Sequence, residues 1–267
     1  MTDDLNSGYA LLRDDIVKYQ VALPIISSRK DHEYRMNRLK SDIPADAVEQ
    51  LASEYRQQGA LIYYQTVNCI LNGQVVGQRS YTPDGILVME TPLKDGLKHG
   101  REFTWSEDGA LLLVEPYVKG KIHGTAKQYG FSGKPIGTYR LIHGTGFDIW
   151  RSEHNDGRVT ISEIHSLRDG LPHGYEWWFT DGGSSLWHER HWHAGTYHGI
   201  ERMWNSQGKL KRGYPKYWIM GQTAPKRRYL QAAKSDQSLP VFREQDKSPQ
   251  RKFPVEIEKL LSSTIKS

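Results

Sequence analysis

The chain has 267 residues, 37% hydrophobic and 11% aromatic, which is enough apolar material for a sizeable core. Its formal net charge of +5 leaves nucleic acid, an anionic membrane or an acidic protein open as partners, while the single Cys69 excludes an internal disulfide and a multi-cysteine metal site and is expected as a buried free thiol. No apolar run approaches the roughly 18 residues of a membrane span, and the opening MTDDLNSGYALLRDD lacks the basic-then-apolar order of a signal peptide, so no transmembrane segment and a cytoplasmic location are expected.

In chain order, residues 1–60 read as an N-terminal helical capping region. YALLRDDIVKYQVALPII reads as a short helix and then a strand, and SRKDHEYRMNRLK as a polar connector or helix. SDIPADAVEQLASEYRQQG predicts a helix: Ser41 or Asp42 caps it, Pro44 suits its first turn and Gly59 stops it. Val48, Leu51 and Tyr55 then fall on one stripe, expected to pack on the end of the repeat array.

Residues 61–225 carry that internal repeat. Gly73, Gly96, Gly120, Gly144, Gly170, Gly195 and Gly221 are separated by 23, 24, 24, 26, 25 and 26 residues. Four repeats write G-x-x-H-G in full: GLKHG from Gly96, GKIHG from Gly120, GLPHG from Gly170 and GTYHG from Gly195. Five residues after the second glycine comes an aromatic, Trp105, Tyr129, Phe179 or Trp204, and four residues further another glycine, Gly109, Gly133, Gly183 or Gly208. Turn glycines flanking short alternating segments describe one hairpin per repeat. Side chains two apart share a strand face, so Phe103 with Trp105, and Tyr175 and Trp177 with Phe179, are expected to align with their counterparts into a ladder across the sheet. Tyr117, Leu141, Leu167, Trp192 and Trp218 form a second column.

His99, His123, His173 and His198 end the phrase. Recurrence within a turn motif points to a structural role in bonding turn backbone, with one ring nitrogen donating to a carbonyl while the imidazole packs on a neighbouring aromatic. The fourth repeat, GTGFDIWRSEHNDG, departs from the pattern and is expected to protrude as a loop or to bend the sheet. GQVVG from Gly73 and GQTAP from Gly221 read as the caps of the array.

The phrase G-x-x-H-G, then an aromatic, then a glycine, in steps of about 24 residues, resembles the bacterial MORN repeat variant, including YwqK-like antitoxins, over residues 73–225. The resemblance implies an elongated antiparallel β-meander used for interaction, and in YwqK-like proteins an immunity role against a toxin. The expected fold class is thus mainly β, an elongated antiparallel β-meander of repeated hairpins, with an N-terminal helix and a C-terminal extended or helical tail.

Residues 226–267 change character. APKRRYLQAAKSD supports one short helix, and Pro240, Pro249 and Pro254 break up the remainder into an extended tail that lies along the sheet or, as the alternative, a disordered basic tail. A short helix around VEIEKLLSS is expected at its end, docked through Val255, Leu260 and Leu261.

The densest chemical cluster is WHERHWHAG. Alternation puts Glu189, His191 and His193 on one face and His188 on the other, but no ligand from a second strand is identifiable and Trp192 stands where a zinc H-E-x-x-H motif needs histidine. No metal and no cofactor are expected. No nucleophile elbow, phosphate loop or dinucleotide fingerprint occurs, so a non-enzymatic interaction module is expected. The candidate partner-binding residues are Phe103, Trp105, Tyr129, Trp177, Phe179, Trp192 and Trp204, taken as exposed rows suited to a protein partner, and to a toxin if the resemblance extends to function. The alternative is nucleic acid or anionic lipid, which requires Lys209, Lys211, Arg212, Lys216, Lys226, Arg227 and Arg228 to cluster on one face beside exposed rings.

Overall fold

The computed structural model describes residues 41–56, 63–180, 183, 185–255 and 257–259. The helix and strand expected within residues 1–40 lie outside them, as do Leu260 and Leu261. The chain divides into two compact units, residues 1–120 with 131–134, and residues 121–130 with 135–267. Both are antiparallel meanders.

In the first unit the strands are β1 (Val48–Arg56), β2 (Tyr63–Leu71), β3 (Gln74–Tyr81), β4 (Leu87–Lys94), β5 (Leu97–Lys98), β6 (Gly100–Trp105) and β7 (Leu111–Val118). They pair in the order β1-β2-β3-β4-β6-β7, with β5 a short extension on β4. The second unit holds β8 (Lys121–Ile122), β9 (Gly124–Tyr129), β10 (Pro135–Ile142), β11 (Thr145–Glu153), β12 (Val159–Arg168), β13 (Leu171–Phe179) and β14 (Leu186–His193). After these come β15 (Thr196–Tyr197), β16 (Gly199–Met203), β17 (Lys216–Ile219), β18 (Gln222–Ala224) and the helix α1 (Lys226–Ala232). Here the order is β9-β10-β11-β12-β13-β14-β16-β17-β18, with β15 paired to β14.

Repeated turn chemistry builds this meander. At each repeat start a non-glycine residue and then a glycine take positive φ, as in Asp169 at 56° and Gly170 at 84°, the signature of a type I′ hairpin turn. The opposite ends of the hairpins close differently. Gly109 donates its N–H to the Ser106 carbonyl and Ser106 to the Ala110 carbonyl, a four-residue turn that the Ser106 hydroxyl reinforces by accepting the Ala110 N–H at 3.0 Å. Successive type I′ turns stack on one another. The Gly144 N–H reaches the Ile122 carbonyl at 2.7 Å and the Gly170 N–H reaches the Gly144 carbonyl at 2.9 Å, so a Cβ on Gly144 would stand 2.4 Å from the Gly170 nitrogen.

The recurring histidines tie this stack together. Nδ1 of His123, His173 and His198 accepts the backbone N–H of His143, Ala194 and Met220, the residue at the first positive-φ position of the next turn, at 3.1, 3.3 and 3.0 Å. The structural role expected of them is thus present with the polarity reversed: the ring accepts instead of donating. Their rings also meet other histidines, with His123 at 4.0 Å from His143 and His173 at 5.0 Å from His193.

Two expectations are corrected. Residues 48–56 form β1, antiparallel to β2 from Val48 opposite Ile70 to Arg56 opposite Tyr63, and not a helix. The presumed caps serve the sheet, since Ser41 Oγ donates to Glu90 at 2.6 Å and Asp42 accepts from the Arg101 backbone and guanidinium. Val48 and Leu51 of the apolar stripe stay 70% and 56% exposed, whereas β2 offers a full row of backbone partners. The fourth repeat does not protrude, since its extra residues lengthen β11 and β12; it carries a bulge at Trp150/Arg151, a local bend of the kind expected as the alternative.

A flanking segment packs on the strands of each unit. In the first unit Ile43 is buried against Gly77, whose missing Cβ leaves the space that the isoleucine fills. In the second, α1 buries Tyr229 against Ile200, Tyr217 and Leu239, and the Tyr229 hydroxyl donates to the Pro240 carbonyl. Burial of such a ring contributes about 1.5–3 kcal/mol. The short helix expected within APKRRYLQAAKSD is present as α1, and the described residues of the tail beyond it lie along the strands. Its end docks through Ile257, fully buried, and not through Val255, which is 68% exposed. Cys69 is buried, and burial raises its thiol pKa. Among the described residues no helix is long and apolar enough to cross a membrane.

Candidate interaction surface

Alternation along β13, β14 and β16 sorts the side chains of the second unit onto two faces with different fates. On the first lie Trp177, Glu189, Arg202 and Trp204, aligned because Trp177 pairs with Glu189 and Glu189 with Arg202. The chain's own tail lies on it. Phe253 meets Trp177 edge-on at 5.2 Å and Phe179 at 5.7 Å, Arg251 lies 5.1 Å over the Trp204 ring, and the Trp204 indole donates to the Lys247 carbonyl at 2.6 Å.

The expected exposed aromatic rows are therefore corrected. Trp177, Phe179 and Trp204 are buried under residues 247–253, and Phe103 and Trp105, stacked at 5.6 Å in the first unit, are buried as well. Tyr175 lies on Trp177 along its strand at 5.6 Å and meets His191 across strands at 4.8 Å, but Glu189 and Arg202 occupy the positions between Trp177 and Trp204 and keep those two rings apart. Tyr129 is half-buried on β9, and Trp192, also half-buried, points to the opposite face.

On that opposite face the register writes an alternating line of charge across six strands. Asp148 pairs with His165, His165 with Glu176 and Glu176 with Arg190; Arg190 lies 3.6 Å from Glu201, which pairs with Lys216. His165 stands 3.6 Å from Asp148, 3.6 Å from Glu176 and 3.1 Å from Glu163. Burial alone would depress its pKa, but the surrounding carboxylates outweigh burial and hold it up to about 10, so it enters the line as an imidazolium. Burial pushes Glu176 up despite His165 beside it, while at Glu201 burial is outweighed by His188, Arg190 and Trp218, which hold it below the usual carboxylate range.

Two indoles lock the carboxylates. Trp192 donates to Glu176 and Trp218 donates to Glu201 at 3.1 Å. Trp192 stacks on Tyr197 at 4.0 Å and Tyr197 meets Trp218 at 5.2 Å, while the Arg190 guanidinium lies 4.9 Å from Trp178 and 5.5 Å from Tyr197 and bonds the Tyr197 hydroxyl at 2.9 Å. Trp192, Tyr197, Trp218 and Arg190 all remain partly open to solvent, and Trp187 is exposed. Buried charges thus fix a half-exposed platform of three rings and one guanidinium.

All seven predicted basic residues, Lys209, Lys211, Arg212, Lys216, Lys226, Arg227 and Arg228, are exposed, but the sheet separates them. Lys216 shares the platform's face through its pairing with Glu201, whereas Lys226, Arg227 and Arg228 begin α1, which packs on the tail side through Tyr229. Lys226 lies 3.9 Å over the Phe242 ring and 3.8 Å from Glu244.

The WHERHWHAG cluster is likewise divided. His188 Nε2 lies 3.1 Å from Glu201, Glu189 binds Arg202 at 2.6 Å, His191 Nδ1 lies 2.6 Å from the His198 carbonyl, and the His193 ring lies between those of His173 and His198, tilted to both. Among the described residues no three His, Cys, Asp or Glu side chains converge as metal ligands.

No protein-family model matches the chain, and no curated protein is detectably similar to it. The functional reading rests on the chain's own geometry.

Sequence reasoning missed the carboxylates that organise the platform, although a signal was present. The second residue after the second glycine is Glu102, Glu176 and Glu201 in three of the four full repeats, and each is buried. The roles of Arg190 and Tyr197 had no such signal, because they depend on strand register.

Proposed function

We propose that the protein is a non-enzymatic interaction module that binds a protein partner through the platform of Arg190, Trp192, Tyr197 and Trp218. One observation carries this reading: hydrogen bonds to Glu176 and Glu201 hold the Trp192 and Trp218 indoles half-exposed, with the Tyr197 ring between them and its hydroxyl accepting from the Arg190 guanidinium. Rings with a polar tip and a fixed geometry give large contact area at low entropic cost, which suits the centre of a protein interface. The resemblance of the repeats to the bacterial MORN variant supplies the specific form, an immunity protein against a toxin. The test is affinity capture from native lysate with the wild-type chain and with Arg190→Ala/Trp218→Ala, whose folded state is checked by circular dichroism. A protein retained by the first and lost by the second supports the reading; capture that ignores the substitutions refutes it.

A second reading is nucleic acid or anionic lipid, favoured by the exposed Lys216, which pairs with Glu201 on the platform's face. That reading requires binding that falls steeply with salt.

A further inference from the structure

Residues 246–255 meet the strands of the second unit in the way a peptide meets a receptor. Between this segment and the strands, the described residues make one backbone hydrogen bond, from the Leu186 N–H to the Pro249 carbonyl at 3.4 Å. Everything else is side-chain recognition. The Arg251 fork binds Glu189 through Nε at 2.9 Å and through its second terminal nitrogen at 3.2 Å, above the Trp204 ring. Phe253 enters the corner between Trp177 and Phe179. Asp246 reaches Arg202 at 3.4 Å, so Glu189, Arg202, Asp246 and Arg251 form a quartet of alternating charge, two from the sheet and two from the tail.

The receptor half of this arrangement is set by the sheet itself. Glu189 is 1% exposed and is oriented by the Arg202 guanidinium at 2.6 Å and the Trp177 indole at 3.0 Å, neither of which belongs to the tail. Its bidentate geometry fits a guanidinium fork and not an ammonium. The ligand half is restrained too, because Pro249 and Pro254 bracket Arg251 and Phe253 and limit the freedom lost on docking.

We infer that this face is a recognition site for an extended peptide carrying an arginine and, two residues further on, an aromatic ring, and that the chain's own tail is its resident occupant. An outside segment of that chemistry binds when it displaces residues 246–255. The site lies on the face opposite the platform of Arg190 and Trp192 and does not depend on the function proposed for it.

The probe is a labelled peptide reproducing residues 244–259, followed by fluorescence anisotropy against the full-length chain. The wild-type chain, whose site is filled, binds it at least about tenfold more weakly than the full-length variant Arg251→Ala/Phe253→Ala, whose own tail is loosened. Replacing the peptide's arginine with alanine abolishes binding to that variant. Equal affinity for the two chains, or indifference to the peptide's arginine, overturns the inference. A wild-type dimer that free peptide dissolves overturns it in favour of tail exchange between two copies. Should the double variant fail to fold, the wild-type chain decides when it is labelled with nitrogen-15: excess unlabelled peptide moves the amide resonances of Arg251 and Phe253 to free-chain positions, and resonances that stay in place overturn the inference.

Discussion

The imidazole Nδ1 of His198 accepts the backbone N–H of Met220 at 3.0 Å, while its Nε2 lies 3.0 Å from the Ser238 hydroxyl and 3.2 Å from Asp236. One side chain thereby joins the last full repeat, the turn after it and the segment beyond α1. His123 and His173 make the first of these bonds without the last.

This difference ranks the substitutions. His198→Ala leaves a backbone N–H without its acceptor beside a fully buried position and costs about 1–3 kcal/mol, whereas His123→Ala, at a half-buried site, costs about 0.5–1.5 kcal/mol. Urea denaturation measures both. Equal midpoints for the two variants and the wild type contradict the proposed role of the histidine in the turn stack.

Gly144→Ala tests the stack from its backbone side. The position has φ of 73° and its Cβ would press on backbone atoms of Gly170, which cannot move as a flexible side chain can. The expected loss is about 1–3 kcal/mol. Gly73→Ala, where φ is 76° but a Cβ meets nothing within 4 Å, isolates the conformational part and should cost less.

Glu189→Gln removes the charge shared by Arg202 and Arg251. Arg202 is 2% exposed, so the change strands a buried guanidinium and costs about 3–5 kcal/mol in thermal or urea unfolding. A loss below about 1 kcal/mol shows that Asp246 alone satisfies Arg202.

Stability should fall on both sides of neutral pH, for opposite reasons. Burial depresses His191 to about 4, so below its ordinary value of 6.5 the unfolded chain takes up a proton that the folded chain refuses, and stability is lost as pH falls from there towards 4. His173 and His198 are shifted in the same direction, again chiefly by burial. His165 is raised to about 10, so its contribution is complete below 6.5 and is lost as pH climbs through 10. Unfolding free energy measured against pH should show a shallower acid limb for His191→Gln and a shallower alkaline limb for His165→Gln. Limbs unchanged by these substitutions place the titrating groups elsewhere.

Much of the fold was legible because it is built from local rules. Glycine at 96, 120, 170 and 195 permits the positive φ of a type I′ turn, a requirement that lies within two residues and so is visible in the sequence. Alternation in Phe103/Trp105 and in Tyr175/Trp177/Phe179 assigned these residues correctly to shared faces. The helix expected from Ser41 failed because its caps and stripe are equally usable by a strand, and the deciding partner, β2, begins only at Tyr63.

The sequence by itself determined the hairpin, its period and the side of each strand on which a ring falls, since these are set by backbone sterics and the two-residue pleat. Tertiary structure decided which side is covered. Trp177 and Trp192 are both aromatic residues on neighbouring strands, yet Phe253 and Arg251 lie over the face of the first and leave the second half open. It also decided that Asp148, His165, Glu176, Arg190, Glu201 and Lys216, scattered over nearly seventy residues, form one line of alternating charge, because cross-strand register is a relation between segments and no local pattern encodes it.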